Sequence, residues 1–456
     1  MPVAANREGS AMNSWVLAVA SAVIVGYAVV SRRLSTTVIS APLVFMVVGM
    51  AIGPLGLDLT DLGTDLHPVT LLLESALSLV LFTDAAAIRS GELRRERSFP
   101  LRLLAIGLPL TILLGWLAAW PLLSGLGAWE LVLVAVILAP TDAALGQAAV
   151  ADRRVPALVR HGLSVESGLN DGLALPFFLL ALAAAGEGHG GHEGVAETFF
   201  RALVLSGAIG AATGWLGARF LRWSDARGWI TRGWRQLLVI ALPPLAYAFT
   251  TEAQGSGFIA AWVAGLVFGN TLRAGPARED AGDSGGRRPG RTMDLTEVSG
   301  LLLAMLSFLL FGAVILGPTL QHLTWQMPVY AVLSLTVVRL VPVALALLGT
   351  GLRPATVAYV GWFGPRGLAS IVFGLLAFEE HLPGARLLSG VVAVTVGLSV
   401  LLHGASAAVL GSRYGAWYAE AQRSHPDLVE QTHLPEAGIA APRTDRGDSE
   451  PEHIGT

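Results

Sequence analysis

Apolar runs of membrane-spanning length recur along most of this chain, and they constrain its fold more than any other feature. A helix needs about 20 consecutive apolar residues to cross the hydrocarbon core of a bilayer. Read at that length, the sequence holds thirteen candidate spans, at 14–31, 36–57, 68–90, 100–124, 129–151, 159–185, 196–222, 234–252, 256–272, 297–317, 326–350, 354–379 and 386–411. Backbone in lipid must satisfy its own polar groups, so spans of this kind are helices. The expectation is an all-α membrane protein of about 13 transmembrane helices, with the lipid bilayer as its solvent. Charged residues are 14% of the 456, against roughly 25% in soluble domains; that is too few to coat a soluble protein of this size. The first span does not read as a cleavable signal. Arg7 stands beside Glu8 before it and Arg32 and Arg33 follow it, the reverse of a secretory signal.

All 30 basic residues are arginine, and the chain has neither lysine nor cysteine. The missing lysine excludes a P-loop ATPase, a Schiff-base cofactor and a kinase site. The missing cysteine excludes disulfides, thiolate metal sites and cysteine nucleophiles. No cofactor and no nucleotide are expected, and a net charge of −3 gives no reason to expect nucleic acid. The arginines mark the sides of the membrane. With the N-terminus outside, 25 fall inside, three outside (Arg7, Arg201 and Arg386) and two within spans. An odd number of spans preserves this alternation. The expected order is a short extracytoplasmic segment at 1–13, a transmembrane domain at 14–411 and a disordered cytoplasmic tail at 412–456. Within the domain, the Gly-, Pro- and charge-rich stretch 273–296 reads as a flexible cytoplasmic linker.

Ionisable residues inside a span are costly and point to function. Asp142 lies near the centre of span five and Asp171 at the centre of span six. Arg339 is at the centre of span eleven and Arg366 at that of span twelve. Glu166 lies off centre in span six, and Glu74 and Asp84 off centre in span three, where bonds to neighbouring helices near each interface account for them. A plain alternative for Glu166 and an arginine, Arg339 or Arg366, is a mutual neutralisation that only holds helices together. Span five reads VILAPTDAALG. Pro140 removes a backbone donor, and Thr141 and Asp142 suit a helix N-cap, so the span is expected to unwind and restart there. Span twelve reads YVGWFGPRGLAS, and Gly361, Gly364, Pro365 and Gly367 predict a second break. Paired interrupted spans in the two halves of a chain point to a transporter site built from inverted repeats. Asp142 can offset the positive helix ends at these breaks, and Arg366 the negative ones.

Span six reads HGLSVESGLNDGLALP. Ser167 and Asp171, four residues apart, share a helix face and can both point at the break in span five. A hydroxyl, a carboxylate and unwound backbone oxygens form an all-oxygen site suited to a hard cation. A carboxylate stripped of water favours a bound proton or a bound cation over bare charge. The two then compete for one group, which suffices for exchange if the site opens to one side at a time.

At these residues the sequence resembles the monovalent cation:proton antiporters, NhaP-like sodium/proton exchangers in particular, over about residues 14–411. The most specific match is E-S-x-x-N-D at Glu166, Ser167, Asn170 and Asp171. Thr141 and Asp142 match the T-D signature, with Ala143 where many members have proline. LVLFTDAA at 79–86, SGFIAAWVAGLVFGN at 256–270 and GPRG at 364–367 match further motifs. The resemblance implies Asp171 as the ion- and proton-binding carboxylate, with Ser167, Asn170, Asp142 and Thr141 completing the site. It implies Na⁺ (or Li⁺ or K⁺) and H⁺ as substrates, and a pairing of Glu166 with Arg339. The Asn170-Asp171 pair implies electroneutral exchange, and the family a homodimer in the plasma membrane whose mobile core holds spans five, six, eleven, twelve and thirteen. The competing classes are a K⁺/H⁺ antiporter, a cation channel of the same fold and an intramembrane serine hydrolase; the hydrolase lacks a histidine at the depth of Ser256. His189 and His192, flanked by Glu187 and Glu193, read as a solvated outer loop, and His403 as packing.

Overall fold

A computed structural model describes residues 5–34, 37–59, 67–88, 99–186, 192–274, 289–424 and 428–431. Most of the 273–296 linker, the tail beyond 431 and the loop with Glu187 and His189 lie outside them, as do the side chains of His192 and Glu193. Regular structure among the described residues is helical throughout. The first three helices are α1 (Ala5–Leu34), α2 (Ala41–Ile52) and α3 (His67–Ala87); α4 (Phe99–Leu122) follows. Span five is two pieces, α5 (Ala128–Ile137) and α6 (Ala143–Ala151). Then come α7 (Ala157–Gly186), α8 (His192–Ala226), α9 (Arg232–Glu252), α10 (Gly257–Arg273), α11 (Met293–Gln321) and α12 (Gln326–Ala346). Span twelve is again two pieces, α13 (Pro354–Trp362) and α14 (Leu368–Glu379), and α15 (Ala385–Ser424) closes the bundle. Eight of the described helices are long and apolar enough to cross a membrane, and α2, α5, α10 and α14 are shorter apolar helices.

Several boundaries depart from the sequence reading. The last helix runs past 411 to Ser424, and Val429–Gln431 adds a turn with Glu430 buried, so part of the segment read as a disordered tail is built into the fold. Helices α4 and α11 each contain a π-helical turn, Leu103–Gly107 and Phe311–Leu316. Each turn ends two residues before a proline, Pro109 and Pro318. Proline brings no N–H to the ladder, and the wider π register absorbs the missing bond. Helix α12 is interrupted at Thr336, three residues before Arg339.

The helices sort into two bodies by packing. One contains α2, α3 and α8–α11; α3 lies against α10 and α11, and α8 against α10. There Gly210 and Gly214 allow backbone contact, since a Cβ on either would strike the carbonyls of Ala260 and Ala264. The other contains α4–α7 and α12–α15, with α5 on α7 and α14 on α15. It is two three-span units, each with its middle span broken. A stacked Phe178–Phe373 pair, 4.5 Å between ring centroids, joins α7 to α14 in its interior. The two bodies meet where α3 touches α7 and α14, and there Thr70 Oγ1 donates to Glu379 Oε1 at 2.6 Å.

Candidate functional site

The two broken spans are bonded to each other through their gaps. Pro140 ends α5, leaving carbonyls with no helical donor, and span twelve supplies the donors. Ser370 Oγ donates to Ile137 O at 2.7 Å. Arg366 NH1 donates to Ala139 O at 2.6 Å and Pro140 O at 3.0 Å. In return span five caps α14. The Asp142 N–H donates to Pro365 O at 2.8 Å, and Asp142 Oδ2 accepts the Leu368 N–H at 2.8 Å. Its Oδ1 accepts the Leu145 N–H at 3.0 Å and so caps α6 as well. One carboxylate therefore serves two positive helix ends and one guanidinium serves a negative end, as macrodipole and capping arguments require. Arg366 is 0% exposed.

The glycines of GPRG are what let these charges approach. A Cβ at Gly367 would stand 2.0 Å from Asp142 Oδ2, and one at Gly364 2.3 Å from Arg339 Nε. Arg339 turns instead to α7, where NH1 and NH2 hold Glu166 Oε1 and Oε2 at 2.6 and 2.9 Å in a buried two-pronged pair. Of the two arginines left open by the sequence, Arg339 is thus the one that pairs with Glu166.

Span six is fastened to the break in span five by neutral groups. Ser167 Oγ donates to Thr141 O at 2.7 Å and lies 3.3 Å from Thr141 Oγ1. Asn170 Nδ2 donates to Thr141 Oγ1 at 2.6 Å. One residue on is Asp171, buried, with Oδ1 lacking a hydrogen-bond partner among the described residues; Asn170 Oδ1 also lacks one. Two acceptor oxygens aimed into the interior without donors are the arrangement a cation or a proton would satisfy. The carboxylates within electrostatic reach of Asp171 are Asp142 and Asp84. A cleft reaches Asp142 and Ser167 and is lined besides by Gly146, Val150, Leu163, Ser164, Phe363 and Pro365.

Sequence reasoning missed two residues here. Asp84, read as interfacial, is brought to the site: a Cβ on Gly168, between Ser167 and Asp171, would lie 3.5 Å from the Asp84 Cβ. The family match of LVLFTDAA at 79–86, which carries Asp84, was the available signal. Glu74, in contrast, stays away from it and bonds to Tyr247. His403, read as packing, contacts Trp362 O on one side of the span-twelve break and Ser399, whose hydroxyl takes the Arg366 N–H on the other.

Comparison with known proteins gives a family and a fold. Residues 19–412 match the family described as "Sodium/hydrogen exchanger, transmembrane". The chain is 26% identical over 382 residues to a "K(+)/H(+) antiporter NhaP" of Alkalimonas amylolytica, covering 82% of this chain and 62% of that one. It is 26% identical over 410 residues to a "K(+)/H(+) antiporter NhaP2" of Shewanella sp. (strain ANA-3), covering 88% and 67%. It thus spans 62% and 67% of the lengths of these relatives. The solved structure of the sodium proton antiporter MjNhaP1 from Methanocaldococcus jannaschii superposes with a TM-score of 0.72 at 18% identity, covering 90% of this chain and 99% of that one. At that identity the likeness is one of fold.

Proposed function

The chain belongs to the transmembrane sodium/hydrogen exchanger family, and from that premise we propose that it exchanges a monovalent cation for a proton, both competing for Asp171. The family is one of transporters and not of enzymes. The observation that carries the reading is the unpartnered, buried Asp171 Oδ1 beside the orphan Asn170 Oδ1, at the meeting point of two broken helices. A bare carboxylate away from water is costly. A proton removes that cost, and so does a cation, but the two do not bind together. Ser167, Thr141 and Asp142 complete the oxygen shell. Both Asp142 oxygens already accept N–H bonds, so its larger part is to hold the helix ends that shape the shell. Asp84 adds a third carboxylate to the field.

Alternating access follows from the two-body packing. The body holding α4–α7 and α12–α15 moves against the other, and the cleft beside Val150 and Leu163 is the inward-open path. Glu166 and Arg339 neutralise each other and travel with that body. Asn170 carries no charge, which leaves one titrating group in the pair and supports one cation per proton. The protein sits in the plasma membrane with thirteen crossings, N-terminus outside and C-terminus in the cytoplasm, and acts as a homodimer in pH homeostasis. Sodium is the cation we propose. Potassium is the second reading, favoured by the relatives named as K⁺/H⁺ antiporters.

The test is proton movement in everted vesicles loaded with a pH-sensitive dye. Wild-type protein should collapse a pH gradient on addition of Na⁺, and Asp171→Asn should not. Sodium-dependent movement at wild-type rate in Asp171→Asn would remove Asp171 from the site. A Na⁺, Li⁺ and K⁺ series in the same vesicles decides the cation.

A further inference from the structure

In an unbroken α-helix the carbonyl of Trp362 would accept the N–H of Arg366, four residues on. The break in span twelve parts these two groups, and α15 gives each a replacement. The Arg366 N–H donates to Ser399 Oγ at 2.7 Å. His403 Nε2 lies 2.9 Å from Trp362 O. Ser399 and His403 are themselves four residues apart on one face of α15, with Ser399 Oγ 3.2 Å from His403 Nδ1. His403 Nε2 faces Trp362 O, and Nδ1 faces both Ser399 O at 2.9 Å and Ser399 Oγ at 3.2 Å, while Ser399 Oγ takes the Arg366 N–H. The missing helical bond is thus replaced by polar contacts through two side chains. Trp362 O also accepts the Gly364 N–H at 2.9 Å. His403 is 1% exposed and Ser399 0%.

What lies between the two lips is the part of span twelve that meets Asp142. Pro365 O takes the Asp142 N–H, and the Leu368 N–H goes to its carboxylate. Gap width and the placing of Asp142 are therefore coupled. We propose that Ser399 and His403 are positioning residues for the cation site, holding the span-twelve break at the width that sets Asp142, and through it Thr141, against Asp171. The proposal rests on the exchange reading above. A histidine that only filled space could give way to leucine with no effect on cation affinity; a bridging one could not, because Trp362 O would lose its contact with α15 and Ser399 Oγ its neighbour, leaving the two lips of the gap free to shift.

The experiment compares Ser399→Ala, His403→Leu and His403→Gln in proteoliposomes, with the apparent KM for Na⁺ and the maximal rate measured separately and the melting temperature taken in detergent. Glutamine can donate its amide N–H to Trp362 O and accept the serine hydroxyl. Ser399→Ala and His403→Leu should raise KM by about fivefold or more with the maximal rate less affected, and His403→Gln should return KM to within about twofold of wild type. Ser399→Ala removes one hydroxyl and carries the test if the leucine variant does not fold. A wild-type KM in Ser399→Ala, or a glutamine variant no better than leucine, overturns the proposal. Failure of the exchange reading looks different: no cation-driven proton flux in the wild-type protein, which ends this proposal with it.

Discussion

Replacing Gly367 with alanine probes the coupling of the two broken spans at its tightest point. The new Cβ would stand 2.0 Å from Asp142 Oδ2 and 2.4 Å from its Cγ. Ordinary contact begins near 3.4 Å, so the carboxylate must retreat by about 1.4 Å, in an interior packed too densely to absorb the shift elsewhere. Oδ2 holds the Leu368 N–H at 2.8 Å, and a retreat of that size carries it beyond hydrogen-bonding distance. The bond has a charged acceptor and is worth about 1.5–3 kcal/mol. Expressed in cation binding, that is about a 10- to 150-fold rise in apparent KM; expressed in folding, it is a lower melting temperature. Gly146→Ala is the control. It lines the same cleft, but its Cβ would meet Pro365 Cγ at 4.0 Å. Alanine within a helix gains about 0.5–1 kcal/mol over glycine, so this variant should keep its KM. The assay is cation titration in everted vesicles, with melting curves on the purified variants. Gly367→Ala indistinguishable from Gly146→Ala in both would refute the reasoning.

Other consequences follow from the same contacts. Arg339→Ala leaves Glu166 buried and unpaired, which costs about 3–5 kcal/mol; folded yield should fall more than cation affinity, and loss of transport at normal yield and stability would make Arg339 a transport residue instead. Turnover of one cation per proton moves no net charge, so flux in proteoliposomes should ignore a clamped membrane potential, and a potential-driven rate of reproducible sign would contradict the role given to Asn170. Glu430 Oε1 accepts the Arg353 N–H and the Thr356 hydroxyl at 2.8 and 2.7 Å, capping α13; Glu430→Ala should lower stability by about 1 kcal/mol and leave KM unchanged, as melting curves and titrations will show. The Arg154 guanidinium bonded to Asp152 holds its carboxyl below the usual carboxylate range. That pair therefore contributes stability above the unfolded value of about 3.9 and loses it as pH falls through the lower folded value; Arg154→Ala should bring the folded value back towards the unfolded one and so shrink this small acid-side loss in melting curves.

The breaks were legible because their causes are local. Pro140 cannot donate to the ladder, and Gly364-Pro365 cannot continue one, so both gaps could be written down from composition and position. The depth of Arg339 and Glu166 likewise announced a pair, since neither charge can stand alone in lipid. Depth along a span says nothing about which way a side chain turns, however, and there the sequence reading stopped. Asp84 lies three residues from the end of α3 and so read as interfacial; it reaches the site because α3 crosses α7 at Gly168. Asp142 read both as a ligand and as a cap for the positive helix ends, and its oxygens do accept N–H groups of two helices; that one of these lies more than 220 residues away is what depth alone does not record. His403 looked like filling because its partner Trp362 O, like the Arg366 N–H taken by Ser399, lies on another helix and becomes available only when that helix breaks. The burial of Glu430 depends on a segment returning to Arg353 after a 40-residue helix, and no local pattern records such a return.

The central claim is that cation and proton compete for Asp171, and proton release on cation binding tests it without any membrane. Purified protein in weakly buffered detergent solution is titrated with Na⁺, or with K⁺, while a pH indicator records protons set free. The account predicts a saturable release in wild type that is absent from Asp171→Asn folded to the same melting temperature. Equal release from both proteins would show that the proton leaves from elsewhere and would contradict it.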